Sequence, residues 1–339
     1  MKLLFDARVL THKNYTGVEN YTKFILENLL KKIDINVVKF KTNNKYLAHL
    51  YNHFILPFYN GKILFCPSNS APFFVPKNKK LILTIHDVAF LIYPKNFSKL
   101  FQWYYRYLIP FNIKRSDKII TISESSKKEI IRLFPNAKDK IIVIFLGIDK
   151  KYKVLPTVVK KKQILYVGSI NERKNLIGVI DAFDNLPIDL GYNLVIVGNF
   201  FELFSLSEIM KEKLQKAKKN KNIVFKEGLD DKSLIYEYNI SEIFIFPSFY
   251  EGFGFPPLES MACGTPVITS NISSMPEICG DSALYINPYD IKDITDKMEI
   301  LIRNKDLQIS LIHKGLHRVK QFSWNKVAEE HIKIIKGLE

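Results

Sequence analysis

The stretch Ile243–Pro266, IFIFPSFYEGFGFPPLESMACGTP, leaves this chain few folds to choose from. Four apolar residues of β type, Ile243 to Phe246, run into Pro247-Ser248 and then into a loop carrying Glu251, Gly252 and Gly254. Pro256 and Pro257 stand where a helix would start, a place proline tolerates because the first helical amides have no intrahelical acceptor. Gly264-Thr265-Pro266 stops that short helix, and Val267-Ile268-Thr269 opens another strand. Strand, loop, helix and strand make one βα unit of a parallel sheet. The geometry is also an anion site, since N–H groups at a helix start point at whatever lies beyond it. Glu251 and Glu259 would repel a phosphate they faced, so they read as acceptors for hydroxyl groups such as those of a sugar and a ribose. A plain βα turn, with one carboxylate complementing the helix dipole, is the other reading.

The same alternation runs along the whole chain. Residues 3–9, 37–40, 62–65, 80–85, 116–123 and 141–145 read as strands, with helices over 18–32 and 125–134. Residues 150–163, KKYKVLPTVVKKKQ, hold charge and Pro156 without apolar periodicity and read as a linker. Strands resume at 164–167, 194–197, 223–225, 243–246 and 267–269, with a last one ending at 285–288. Helices are expected at 176–185, 203–220, 233–239, 291–304 and 306–319, with a final one from 323 to 338. The expectation is an α/β protein with two Rossmann-like domains, 1–152 and 153–322, followed by a terminal helix in 323–339. A chain of 339 residues that is 47% hydrophobic can fill two cores. Cys66, Cys263 and Cys279 lie far apart without CxxC spacing, which argues against a disulfide framework or a zinc site and fits a reducing cytoplasm. MKLLFDARVL is too charged after Leu4 for a signal peptide, and no run approaches the ~20 apolar residues of a membrane span.

The net charge of +16 is unevenly placed: residues 1–155 hold 27 Lys and Arg against 10 Asp and Glu, and residues 156–339 hold 23 against 24. The first half is expected to meet something anionic, with nucleic acid, an anionic membrane and a merely solvated lysine-rich surface all open. Two aromatic segments lie in that half, YLAHLYNHFILPFY at 46–59 and FQWYYRYLIPFNIK at 101–114. Each reads either as a helix with an exposed apolar side or as core, and Pro110 argues against one regular helix in the second.

Candidate ligand groups sit where strands end, which is where open α/β sheets bind ligands. Asn14-Tyr15-Thr16-Gly17 follows the first strand, and His86-Asp87 ends the strand 80–85. A lone histidine is more often a satisfied core group, and its place at a strand end is what raises it here. Arg173 and Lys174 follow the strand 164–167 and offer a planar fork and a point charge for phosphate oxygens. Asn271 to Ser274 is a further candidate after strand 267–269.

Glu251 and Glu259, with seven residues between them in EGFGFPPLE, resemble the Glu-x7-Glu motif of retaining glycosyltransferases of family 4. The flanks FPS and ESMACGTPVITSNISSMPEICGDSALYINPYD match as well, and YVGSINERKNL resembles the family's second donor motif. TIHDVAFLIYP resembles bacterial mannosyltransferase-like members. Two departures stand out: a single glycine in Asn14–Gly17, and LGID where many members have asparagine before the glycine. The resemblance covers nearly the whole chain and implies the GT-B fold, two Rossmann-like βα domains facing across a cleft, with the terminal helix crossing back to the first. It implies transfer of a hexose with retained configuration, mannose from GDP-mannose first and another GDP- or UDP-hexose also open, with no cofactor and no metal. The implied acceptor is a saccharide or polyprenyl-linked saccharide in surface polysaccharide or lipopolysaccharide synthesis. Carried onto this sequence, Glu251, His86, Arg173 and Lys174 form the catalytic set. Gly17, Arg173, Lys174, Gly252, Phe253, Gly254, Phe255 and Glu259 hold the donor, Glu259 through its ribose. The implied location is cytoplasmic and peripheral at the inner face of the membrane, with no nucleic-acid partner. A GT-B sugar-nucleotide epimerase and a non-catalytic basic binding protein with steep salt dependence are the other classes.

Overall fold

The computed structural model describes residues 3–11, 17–40, 42, 45–198 and 206–339. The chain divides into two compact units, Met1–Gly147 with Phe322–Glu339, and Ile148–Gln321.

Unit 1 contains β1 (Leu3–Asp6), α1 (Gly17–Leu29), β2 (Ile35–Val38), α2 (Lys45–Phe54), β3 (Ile63–Cys66) and β4 (Lys80–Thr84). It continues with α3 (Ala89–Ile92), α4 (Lys99–Arg115), β5 (Lys118–Thr121), α5 (Glu124–Leu133) and β6 (Ile141–Val143). Its six strands are parallel in the order β2-β1-β3-β4-β5-β6. β1 and β3 are buried along their whole length, which is why they read as continuous apolar runs and not as alternating ones. The core beneath joins Leu4, Leu64, Leu83 and Ile119 of the sheet to Ile109 and Ile113 of α4 and Ile130 of α5.

Unit 2 runs β7 (Lys161–Val167), α6 (Leu176–Asp184), β8 (Asn193–Val197), α7 (Glu208–Ala217), β9 (Ile223–Lys226), α8 (Asp231–Ile240) and β10 (Ser241–Phe246). Then come α9 (Phe255–Ala262), β11 (Val267–Ser270), α10 (Met275–Cys279), β12 (Ala283–Ile286), α11 (Ile291–Arg303) and α12 (Lys305–Arg318). Its sheet is again six parallel strands, in the order β12-β11-β10-β7-β8-β9. The last helix, α13 (Trp324–Lys336), belongs to unit 1 and lies against α1.

Three details differ from the sequence reading. The segment 101–114 lies in one continuous helix despite Pro110. Ser98 caps its start, accepting from Phe101 N–H at 3.3 Å, and its second half buries Leu108, Ile109, Asn112 and Ile113. Tertiary burial thus outweighs the one backbone hydrogen bond that proline removes. Second, α9 begins at Phe255, so Pro256 and Pro257 lie within its opening turn and not ahead of it. Third, β7 starts at Lys161, inside the segment that reads as a linker. The helix expected over 203–220 is α7, and residues 203–205 lie outside the described residues. Of the two readings of segment 46–59, both hold in part: Tyr51 is buried, stacked on Phe40 at 4.1 Å, while Leu47, Leu50 and Phe54 are exposed.

Candidate active site

In unit 2 the chain order reverses between β7 and β10: β8 and β9 follow on one side, β11 and β12 on the other. Loops leaving two such neighbours part in opposite directions and open a crevice at their carboxyl ends. The turn after β7 carries Arg173 and Lys174, and the loop after β10 carries Glu251.

The turn is built rigidly. Asn171 accepts from Lys174 N–H at 3.2 Å, Asn175 takes left-handed backbone at φ 53°, and its side-chain amide donates to Pro288 O at 2.8 Å. The loop is tied to the turn, with Phe249 N–H donating to Arg173 O at 2.9 Å. Arg173 Nη1 donates to Tyr250 O at 2.5 Å and stands 3.2 Å from Glu251 Oε1. Lys174 Nζ is 2.6 Å from the same oxygen and lies 4.8 Å over the Phe246 ring. The three charged side chains are only 10–17% exposed. Burial pushes the Glu251 carboxyl up, but Lys174 and Arg173, with hydrogen bonds from Lys174 and Ser248, outweigh it and hold it below the usual carboxylate range. Glu251 is therefore ionised, and the cluster keeps one positive charge in excess.

The Glu251 loop is braced from β11's side. Glu251 N–H donates to Ser273 Oγ at 2.9 Å, and the Ser273 hydroxyl lies 2.9 Å from Glu251 O. The Ser274 hydroxyl lies 3.0 Å from Glu251 O and 2.7 Å from Phe253 O. Ser273 and Ser274, part of the segment singled out for donor contacts, hold the loop's backbone. Gly252, Phe253 and Gly254 are buried, and the Phe253 ring meets Phe255 at 5.4 Å. Gly254 has φ 112°, and a Cβ there would sit 2.3 Å from Met275 Cε, so the position admits only glycine without strain. Because the prolines occupy the first turn of α9, Gly254 and Phe255 supply the N–H groups at its mouth. The helix start is a poorer anion donor than the sequence suggested, and the Arg173–Lys174 pair carries more of the positive potential.

Glu259, on α9, is partly buried. Tyr238 donates to its Oε2 at 2.9 Å, and the Tyr152 hydroxyl bonds to it as well. Burial pushes its carboxyl up to about 7, against the opposing pull of both tyrosines and Lys151. Neither tyrosine was legible as a site residue: Tyr152 lies in the charged linker-like segment, and Tyr238 reads as ordinary helix.

The other two predicted residues belong to unit 1. Gly17 opens α1 with no atom within 4 Å of where a Cβ would stand; Asn14, Tyr15 and Thr16 lie outside the described residues. His86 follows β4 and is buried. Its Nε2 donates to Pro67 O at 2.9 Å, its backbone N–H donates to Asn69 Oδ1 at 2.7 Å, and Tyr21 meets its ring edge-on at 4.8 Å. Burial pushes its pKa down, against Pro67 O, Asp87 and Glu19, so the imidazole is neutral. The structure thus brings together Arg173, Lys174, Glu251 and the loop to Phe255, with Glu259 on the helix that follows, all in unit 2.

Two six-stranded parallel units of this kind, each with its own helices, are the GT-B architecture. Sucrose-phosphate synthase from Thermosynechococcus elongatus matches 99% of this chain and 98% of its own with a TM-score of 0.77 at 16% identity. HepE from Anabaena, in complex with UDP and glucose, matches 99% of this chain and 100% of its own with a TM-score of 0.76 at 15% identity. In sequence, the profile of Glycosyl transferases group 1 matches residues 147–318, and that of Glycosyltransferase Family 4 matches residues 60–152. O-antigen chain mannosyltransferase B of Escherichia coli is 30% identical over 282 residues, 78% of this chain and 73% of that one. The chain belongs to the group 1 family of glycosyl transferases and is a glycosyltransferase.

Proposed function

We propose that this protein transfers mannose from GDP-mannose, with retention at the anomeric carbon, to a saccharide or polyprenyl-linked saccharide during surface polysaccharide synthesis. The observation that carries the reading is the convergence of Arg173 and Lys174 on one buried carboxylate oxygen at the β7/β10 reversal. The choice of mannose rests on the likeness to O-antigen chain mannosyltransferase B.

As the bond from the anomeric carbon to the nucleoside diphosphate breaks, negative charge gathers on the departing phosphate oxygens. A fixed guanidinium and ammonium, shielded from water, stabilise that charge more than the ground state, which is what accelerates the step. In this role the two cations do what a metal ion does elsewhere, and none is called for. Before a donor binds, Glu251 keeps both cations in place and offsets part of their charge. Once phosphate oxygens engage them, Glu251 is available to accept hydrogen bonds from hydroxyls of the sugar being moved. The mouth of α9 and the Gly252–Phe255 loop line the donor, and Glu259 accepts from the ribose in its ionised form. A lipid-linked acceptor places the working enzyme at the inner face of the membrane. UDP in the HepE complex keeps a UDP-hexose donor open as a second reading.

The test is a thermal-shift panel of GDP, GDP-mannose, UDP, UDP-glucose and ADP in the presence of a metal chelator. A ligand at 100 times its Kd adds about 2.7 kcal/mol to the native state. GDP and GDP-mannose are expected to raise the melting temperature selectively. A UDP-selective rise would overturn mannose, and no rise with any nucleotide would overturn the proposed nucleotide-sugar donor.

A further inference from the structure

Two helices of unit 1 wear apolar residues on their outer side. α4 buries Leu108, Ile109, Asn112 and Ile113, yet exposes Leu100, Trp103, Tyr107 and Phe111 by 64, 62, 64 and 46%. Steps of three and four residues put those four in one stripe along the helix. α2 does the same with Leu47, Leu50 and Phe54, and Phe58, Phe73 and Phe74 stand out from the turns nearby. The pieces adjoin: the Phe73 ring lies 4.1 Å from that of His53 on α2 and 6.0 Å from that of Phe111, Phe58 lies 6.2 Å from Phe74, and Trp103 lies 5.4 Å from Tyr107.

These side chains are held out, not left loose. Arg115 donates to Val75 O at 3.2 Å, Pro76 O at 3.0 Å and Lys79 O at 2.8 Å. Asn112 Oδ1 accepts from Ala71 N–H at 2.9 Å, and the buried Lys79 ammonium donates to Pro57 O at 2.9 Å and Tyr59 O at 2.6 Å. The turns that carry Phe58, Phe73 and Phe74 are therefore fastened from behind. A rigid apolar patch kept in water marks a surface that something covers.

Charge says what covers it. Residues 35–116 hold 12 Lys and Arg and a single acidic residue, Asp87. Lys99, Arg106 and Lys114 of α4 and Lys77 beside it are exposed, and among the described residues no carboxylate lies within ion-pair distance of any of them. Among the described residues no helix is long and apolar enough to cross a membrane. Exposed Trp, Tyr and Phe flanked by cations, on helices that do not span, match the headgroup layer of an anionic bilayer. A second copy of this chain would also cover the apolar stripe, but it would set cations against cations.

We propose that the face made by α2, α4 and the turns at 54–59 and 73–74 docks unit 1 on an anionic lipid surface, with α4 lying in the plane of the headgroups. The proposal rests on the lipid-linked acceptor for its purpose and on the exposed stripe and charge for its chemistry. It is tested by co-sedimenting the full chain with vesicles of phosphatidylglycerol and phosphatidylethanolamine, against neutral phosphatidylcholine vesicles. Of the two tryptophans Trp103 is 62% exposed and Trp324 7%, so a blue shift of fluorescence reports entry of Trp103 into lipid. The expected result is binding to the anionic vesicles only, with a blue shift. Arg106→Glu with Lys114→Glu, and separately Trp103→Ser with Tyr107→Ser, are each expected to weaken binding about tenfold or more. All four side chains are exposed, so the fold is expected to survive, checked by an unchanged melting temperature. No binding to anionic vesicles, binding that ignores both pairs of substitutions, or a lipid-free dimer that either pair dissolves would overturn the proposal. GDP-mannose thermal shifts on the same samples test the transferase reading separately, because neither result depends on the other.

Discussion

Glu251 and Glu259 sit in the same short motif and differ in acid–base character because their neighbours differ. Glu251 faces two cations and is ionised; Glu259 faces two phenols and is pushed up to about 7 by burial. Between about pH 4.5 and 7 the folded chain holds a proton on Glu259 that the unfolded chain has released, so its contribution makes stability fall as pH rises through that window. Melting temperatures of wild type and Glu259→Gln taken from pH 5 to 8 should show that decline in the wild type alone. If the ribose reading is right, nucleotide affinity should rise over the same range, since only the ionised form accepts two hydroxyl groups. Arg173→Ala should lower kcat/KM by about 10²–10³ with little change in melting temperature, as removal of one preorganised donor does elsewhere. Steady-state transfer assays alongside thermal melts check both halves of that expectation. The residues carrying these effects were unequally legible. Arg173, Lys174, Glu251 and Glu259 stand at strand ends or in a spaced motif, whereas Tyr152 and Tyr238 act through contacts made far along the chain; the segment of Ser273 and Ser274 was legible as a candidate, but not its bracing of the Glu251 loop.

At the scale of elements, α13 and α1 are joined by one polar chain inside the apolar core of unit 1. His331 Nδ1–H donates to Val327 O at 2.7 Å, which leaves Nε2 to accept from the Tyr21 hydroxyl at 2.8 Å; Thr84 Oγ1 then donates to Tyr21 at 3.1 Å. Tyr21→Phe strands the His331 and Thr84 groups and should cost about 1–3 kcal/mol. Both tryptophans belong to unit 1, so urea unfolding followed by fluorescence reads that unit alone. Burial pushes the His331 pKa down to about 4, below its ordinary 6.5, so unit 1 should lose stability as pH falls through that interval. Strands were the easiest elements to read, because strands buried on both faces are written as unbroken apolar runs. α4 was the hardest: its proline and its outward aromatics contradict the local rules, and only the burial of its inner face explains why it stays helical.

The whole molecule is two βα units of different construction. Unit 2 is one continuous segment, Ile148–Gln321, whereas unit 1 needs Phe322–Glu339 to return to it. That segment brings buried Trp324, Val327, Ala328, His331 and Ile335, and a Cβ on Gly147 would lie 2.4 Å from Trp324 N, so the join is tightly packed. Deleting residues 322–339 should lower the unit 1 transition by several degrees in scanning calorimetry and leave the unit 2 transition in place. The repeated architecture was legible because in unit 2 β7, β8 and β11 run straight into Gly168, Gly198 and Asn271, which end the apolar run. The start of unit 2 was not, since the contact of Tyr152 with Tyr238 and the pairing of β7 with β10 join residues about 80 positions apart. The central claim concerns the pair of cations at the β7/β10 reversal, and calorimetric titration of GDP-mannose into wild type and Lys174→Ala tests it most directly. The account predicts a loss of affinity on the order of tenfold or more in the variant, as for one charge-assisted hydrogen bond. Equal affinity in the two proteins would contradict it.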